Sequence, residues 1–194
     1  MATPTDSRLT ALAQLLPATV PFVGPETQER TRGKPFVARL GANESGFGPS
    51  PRAIQAIKDA ASEIWQYPDP EAYNLRQALA AHHGIAPAHI MVGEGIDTLL
   101  GNLVRLIIAP GDAVVTSAGA YPTFNYHVTD FGGVLHSVPY AGNLEDPDRL
   151  IATAAQVGAK LIYLPNPDNP MGSSHGPPTL QRRTSAFPEG CFLL

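Results

Sequence analysis

Three short stretches hold residue types that could do chemistry. "MVGEGIDTLL" (91–100) reads as strand, glycine turn and helix. A helix N-terminus presents free N–H groups and partial positive charge, so it can hold a phosphate. Gly93 and Gly95 would let that backbone come close. A dinucleotide fingerprint needs a third glycine where Thr98 stands, and no Gly-Lys-Ser/Thr follows, so a single compact phosphate group is the better fit. "AGAYPTF" (118–124) puts Tyr121 at a strand end, just before Pro122 opens a helix. Its ring could stack on a planar group or pack between helix and sheet. "LPNPDNPMG" (164–172) is a rigid turn with two amide side chains. Asn166 can satisfy turn backbone. Asn169, between Asp168 and Pro170, can offer its amide to a phenolate-type oxygen. Taken singly, each stretch also has a plain reading as a turn or a packing contact.

The elements that must position these loops alternate. Strands are expected at 89–93, 113–117, 134–140 and 160–164, and helices at 96–108, 122–133 and 146–158. A short helix near 177–186 and a strand at "CFLL" (191–194) follow. Strand–helix units of this length predict a parallel-rich α/β sheet with helices on both faces. Ligands of such sheets bind beyond the C-terminal strand ends, which is where all three stretches fall. Upstream, "SPRAIQAIKDAASEIW" (50–65) predicts a helix capped by Ser50, with Pro51 at its first position and an apolar stripe at Ile54, Ile57, Ala61 and Ile64. "PEAYNLRQALAAHHG" (70–84) predicts a second helix stopped by Gly84. Residues 1–40 read as an arm: a short amphipathic piece at 9–16, then extended Pro-rich chain.

Composition sets outer limits. The chain has 194 residues, 43% hydrophobic, with Gly 18 and Pro 20 placed at joints rather than in runs. A net charge of −4 without a basic cluster argues against a nucleic-acid surface. One cysteine excludes a disulfide framework, and the six histidines form no metal-ligand spacing. "LTALAQLLPATVPFV" (9–23) is too short and too interrupted by proline to span a membrane, so a soluble, cytoplasmic protein is expected.

The three loops together describe one flat, phosphorylated, oxygen-bearing ring held at adjacent strand ends, and pyridoxal 5'-phosphate has that shape. "GANESGFGPSP", "YPDPEAYNLRQALA", "VGEGIDTLL", "PGDAVV", "AYPTF" and "LPNPDNPMG" also come in an order and spacing that resembles the fold-type-I pyridoxal-phosphate-dependent aminotransferases, most of all the histidinol-phosphate aminotransferase branch. The resemblance covers roughly residues 36–194. It implies a 1–40 arm followed by a pyridoxal-phosphate-binding large domain over 41–194. It implies that the backbone N–H groups of Gly95, Ile96 and Asp97 hold the cofactor phosphate, that Tyr121 stacks on the pyridine ring and that Asn169 hydrogen-bonds its 3′-oxygen. Tyr67 resembles a tyrosine that reaches the cofactor phosphate of a partner subunit, which implies a homodimer, and Asn43 matches a segment lining the substrate's way in. Three places depart from the family: Met171 stands where threonine is common, Ile96 where a polar residue is, and "NES" (43–45) replaces Asn-Glu-Asn.

The implied reaction is transfer of an amino group from a small-molecule donor to a 2-oxo acid or a phosphorylated carbonyl compound. Such chemistry needs a Schiff-base lysine, a carboxylate facing the pyridine nitrogen and usually an arginine for the substrate carboxylate. In the family all three come after the strand matching "CFLL". Lys34, Lys58 and Lys160 are the lysines present, and none suits the role by position. The expectation is therefore a truncated large domain, inactive alone. Its last strand should leave an open edge and uncovered apolar surface. The competing readings are a threonine-phosphate-type decarboxylase of the same fold, a Rossmann-type nucleotide module, and a non-catalytic truncated paralogue.

Overall fold

The computed structural model describes residues 8–16, 22–181, 183 and 186–194. The chain divides into two compact units, Val23–Val92 and a second that joins the residues up to Phe22 with Gly93–Leu194.

The second unit carries the sheet. Its strands are β1 (Ala113–Ser117), β2 (Val134–Val138), β3 (Leu161–Tyr163) and β4 (Phe192–Leu193), all parallel, in the order β2-β1-β3-β4. The helices are α5 (Gly95–Ile107), α6 (Pro122–Asp130), α7 (Pro147–Val157) and the short α8 (Pro177–Gln181), with α1 (Ala11–Leu15) from the start of the chain. The central strand reads as an unbroken buried run, with Val114, Val115 and Thr116 fully enclosed, as a strand covered on both faces must. Val114 and Leu161 pack into one layer with Leu100 and Val104 of α5 and Phe124 and Val128 of α6. Val115 and Ile162 pack into the other with Leu150, Ile151 and Ala154 of α7. Alternation along β1 thus feeds two cores.

Ends are marked where the chemistry requires. Asp146 caps α7, its side chain accepting from the Arg149 N–H at 3.1 Å, and Gly158 closes that helix in the left-handed region at φ 63°. Lys160 Nζ meets Asp112 Oδ2 at 2.7 Å, pinning the N-terminal ends of β3 and β1 to each other. That lysine pulls the Asp112 carboxyl below its usual range, helped by the Ala109 N–H.

The Val23–Val92 unit contains α2 (Pro25–Arg32), α3 (Pro51–Ala60), α4 (Tyr73–His83) and a single 3-10 turn at Pro87–His89. Ser50 caps α3 and Gly84 ends α4 at φ 67°, as expected.

Four expectations need correction. No strand forms at 89–93: the Ile90 N–H is taken locally by the Pro87 carbonyl at 3.2 Å, and no described strand pairs with the extended residues that follow. The helix at 50–65 stops at Ala60, because successive three-residue turns take over, Glu63 N–H to Ala60 O and Gln66 N–H to Glu63 O. Its expected apolar stripe is exposed, Ile57 at 68% and Ile64 at 81%. The arm is not simply extended, since α2 forms there: Pro25 starts the helix instead of breaking it, Gly33 caps it at φ 69°, and Glu26 and Glu29 both engage Arg39. The final helix is short, ending at Gln181. No described helix is long and apolar enough to cross a membrane.

Candidate functional site

Chain order puts Tyr121 beyond the C-terminal end of β1, Tyr140 beyond β2 and the loop 164–175 beyond β3, and α5 begins at Gly95. The α5 helix has thirteen residues and, unlike α3 and α7, no side-chain hydrogen bond caps its start. The Gly95 N–H donates to the Gly93 carbonyl at 2.8 Å, and no side chain takes the N–H groups that follow it. Gly95 opens the helix at φ 79°, a conformation that L side chains rarely adopt, with open space where a Cβ would sit. Ile96 is 61% exposed there, so the turn projects an apolar side chain outward and leaves only backbone donors. The Asp97 carboxylate lies 3.1 Å from His127 Nε2 of α6. Gly101 makes room for that imidazole: a Cβ there would come within 2.9 Å of the ring.

Tyr121 stands at the N-cap position of α6, half-buried against the cluster that contains Phe124 and Tyr163. The rings of those two stack 4.0 Å apart. Tyr121 is thus both a packing residue and a partly open ring at a strand end.

The loop 164–175 is stapled twice. The Asn166 side chain exchanges two hydrogen bonds with the His175 backbone, at 3.0 and 2.8 Å, which is the turn-satisfying role weighed for it. Inside that staple the Asp168 N–H donates to Ser173 O and the Gly172 N–H to Asp168 O, both at 2.8 Å. Asn169 sits on the enclosed turn, exposed, and no hydrogen bond within the described residues engages its amide. Two of the loop's three X–Pro bonds, Asn166-Pro167 and Asn169-Pro170, are cis.

Several polar groups at these strand ends escaped the sequence reading. Asp168 is 4% exposed and accepts from the Tyr140 hydroxyl at 3.0 Å. Glu145 is 2% exposed. Its burial, aided by the charge of Asp168 and opposed by Ser117, pushes its carboxyl up to about 7. Burial and the same carboxylates raise Tyr140, and burial with Tyr121 raises Tyr163 to about 12, so both phenols stay protonated at neutral pH. Asp168 stood inside a quoted motif, but only burial distinguishes it from a solvated turn aspartate. Glu145 precedes the α7 cap, and nothing in "GNLEDP" marks it as enclosed.

Tyr67 and Asn43 belong to the other unit. Tyr67 is fully exposed, and Asn43 adopts a left-handed backbone at φ 54°. Lys160 is committed to Asp112 at the N-terminal strand ends, opposite the site.

A parallel sheet with an aromatic ring beyond one strand end and an exposed amide beyond the next has the layout of α/β domains that bind ligands at their C-terminal strand ends. The sequence profile of the aminotransferase class I and II family matches residues 36–192, and the chain belongs to that family. The histidinol-phosphate aminotransferase of Sinorhizobium meliloti, solved in complex with pyridoxal-5'-phosphate, is 52% identical with a TM-score of 0.91, over 98% of this chain and 50% of that one. The histidinol-phosphate aminotransferase of Anaeromyxobacter sp. is 38% identical over 76% of this chain and 41% of its own length. An aspartate aminotransferase of Thermus thermophilus, 24% identical with a TM-score of 0.78, shares the fold. The chain spans about half the length of the curated relatives it matches.

Proposed function

We propose that this chain is the cofactor-binding part of a pyridoxal-phosphate-dependent transaminase of the histidinol-phosphate aminotransferase type, cytoplasmic and acting as a homodimer. The amino acceptor is a 2-oxo acid or a phosphorylated carbonyl compound. The observation that carries the reading is the start of α5, which no side chain caps and which a glycine opens at φ 79° with free space where a Cβ would sit.

The residues present fit the cofactor. The N–H groups of Ile96 and Asp97 would receive the phosphate, and that of Gly95 would join them on releasing the Gly93 carbonyl. Phosphate binding there gains from the helix dipole, and the His127 contact draws the Asp97 carboxylate toward α6. Tyr121 offers its ring to the pyridine, and the unengaged Asn169 amide orients the 3′-oxygen. When bound, the cofactor supplies the electron sink for amino-group transfer. In the homodimer Tyr67 reaches the partner subunit's phosphate and Asn43 lines the substrate's approach. The division into an arm (1–40) and a large domain (41–194) belongs to the same proposal. The exposed Val37, Phe47, Trp65 and Tyr67 support an assembly that covers them.

Titrating the purified chain with pyridoxal 5'-phosphate tests the reading. Saturable binding that inorganic phosphate competes away is expected. Gly95→Val, which forces a β-branched residue into the left-handed region, should weaken it by at least about tenfold. No saturable binding by the unaltered chain would overturn the proposal.

A further inference from the structure

One side chain spans a gap in the sheet that the reading above does not use. β2 and β3 lie on opposite sides of β1, so a residue beyond β2 is two strand spacings, about 10 Å, from the loop that follows β3. Tyr140, two residues past β2, crosses that gap: its hydroxyl donates to Asp168 Oδ2 at 3.0 Å. Its ring lies against the turn that follows β1. Gly119 stands in that turn, and a Cβ there would meet Tyr140 Cε2 at 3.2 Å. The turn is itself tied down, with the Ala118 N–H on the Val138 carbonyl at 2.8 Å and the Ala120 N–H on the Ser117 carbonyl at 3.1 Å.

Asp168 is 4% exposed. Its other side-chain oxygen is buried without a hydrogen-bond partner, so among the described residues the Tyr140 hydroxyl is the one donor to that side chain. A buried acceptor that loses its donor recovers a hydrogen bond only by reaching water. For Asp168 that means opening the loop, because its own backbone closes the turn around Asn169: its N–H donates to Ser173 O and its carbonyl accepts from the Gly172 N–H, both at 2.8 Å. Burial and the hydrogen bond to Asp168 raise the phenol, which therefore stays a donor at neutral pH. Tyr140 thus touches one loop next to Asn169 and another two residues from Tyr121.

We propose that Tyr140 is a positioning residue, a strut laid across the end of β1 that holds the 164–175 loop against the 118–121 turn and so sets the spacing between Asn169 and Tyr121. That these two side chains then meet one flat ring rests on the proposed function. The strut itself does not.

Hydrogen exchange on the 194-residue chain tests the strut, with the Gly172 amide reporting on the loop and the Ala159 amide, bonded to Ala154 O, as reference. Tyr140→Phe, which removes only the hydroxyl, should accelerate Gly172 about tenfold and leave Ala159 unchanged. An unchanged Gly172, or equal acceleration of both amides, overturns the proposal. Asp168→Asn keeps an acceptor for the phenol and should stay close to the original rate. Asp168→Ala should match Tyr140→Phe, and the two together should exceed neither. Additive effects would mean that the residues act separately, and overturn it. Gly119→Ala, which presses on the ring, should accelerate Gly172 in the unaltered chain and not in Tyr140→Ala. The same acceleration in both backgrounds overturns the link to the 118–121 turn. Tyr140→Phe should also lose about tenfold in affinity for pyridoxal 5'-phosphate while keeping its affinity for inorganic phosphate, which meets only α5. Loss of both ligands, or of neither, overturns the setting of Asn169. If the unaltered chain binds neither ligand, the cofactor reading falls, and the exchange results still decide the strut.

Discussion

The two units use apolar residues in opposite ways. In Gly93–Leu194 the large apolar side chains go inside: Val114, Phe124, Leu150 and Leu161 have no exposed surface. In Val23–Val92, Ala80 is the one buried residue, while Val37, Phe47, Trp65 and Tyr67 stand 81% or more exposed. Both regions have helices with proper caps, so local sequence signals were obeyed equally. The difference lies in what the helices rest on. A parallel sheet gives α5, α6 and α7 a flat apolar partner within their own unit, and α3 and α4 have none. An amphipathic helix without a partner is a surface waiting for another chain.

The sharpest way to break this comparison is to empty one position in each region. Phe124→Ala should cost about 3–5 kcal/mol in a urea melt, since it removes a fully buried ring stacked on Tyr163. Trp65→Ala should shift the same melt by less than about 0.5 kcal/mol. Similar losses at both sites would mean that Trp65 is packed in solution.

The pH dependence should belong to the sheet-bearing unit alone. Glu145 is raised from 4.5 to about 7 on folding. The folded state then holds more protons than the unfolded one between those values. Its contribution is fully present below about pH 4.5 and is lost as pH rises through about 7. The loss is on the order of 2–3 kcal/mol. Denaturant melts at acid and alkaline pH should show it, and Glu145→Gln should flatten it. A melt that strengthens with rising pH across this window would contradict the burial of Glu145.

Self-association should depend on the other unit. Trp65→Glu should leave the melt unchanged and shift sedimentation toward the monomer. An equal shift from a charge placed at Leu106, exposed on α5, would show that association is not confined to residues 23–92. The smallest effect is expected at the N-terminal strand ends: Lys160→Met should leave pyridoxal 5'-phosphate affinity unchanged, because its ammonium group serves Asp112 at the far side of the sheet.

Much of this was legible in advance for a local reason. Strand–helix alternation, Ser50, Gly84, Gly95 and the rigid turn at 164–172 act through backbone preferences that a short stretch carries by itself. The strand expected at 89–93 failed on the opposite ground: its residues have strand character, but a strand exists only where a neighbour accepts its hydrogen bonds. The stripe of α3 failed likewise, since periodicity shows that a face could be buried and not what buries it. Asn166 and Asn169 illustrate the division inside one loop. Of two identical side chains three residues apart, the sequence reading assigned Asn166 to the turn and Asn169 to a ligand oxygen, and folding spent Asn166 on the His175 backbone and left Asn169 unengaged.

By itself the sequence determined the class of fold, the order of its elements and the loops that reach the strand ends, because pattern and turn chemistry are local. Only the tertiary structure decided which polar groups lose their water. Glu145, Asp168 and Ser117 lie far apart along the chain, and their chemistry is set by low-dielectric surroundings that no one segment provides.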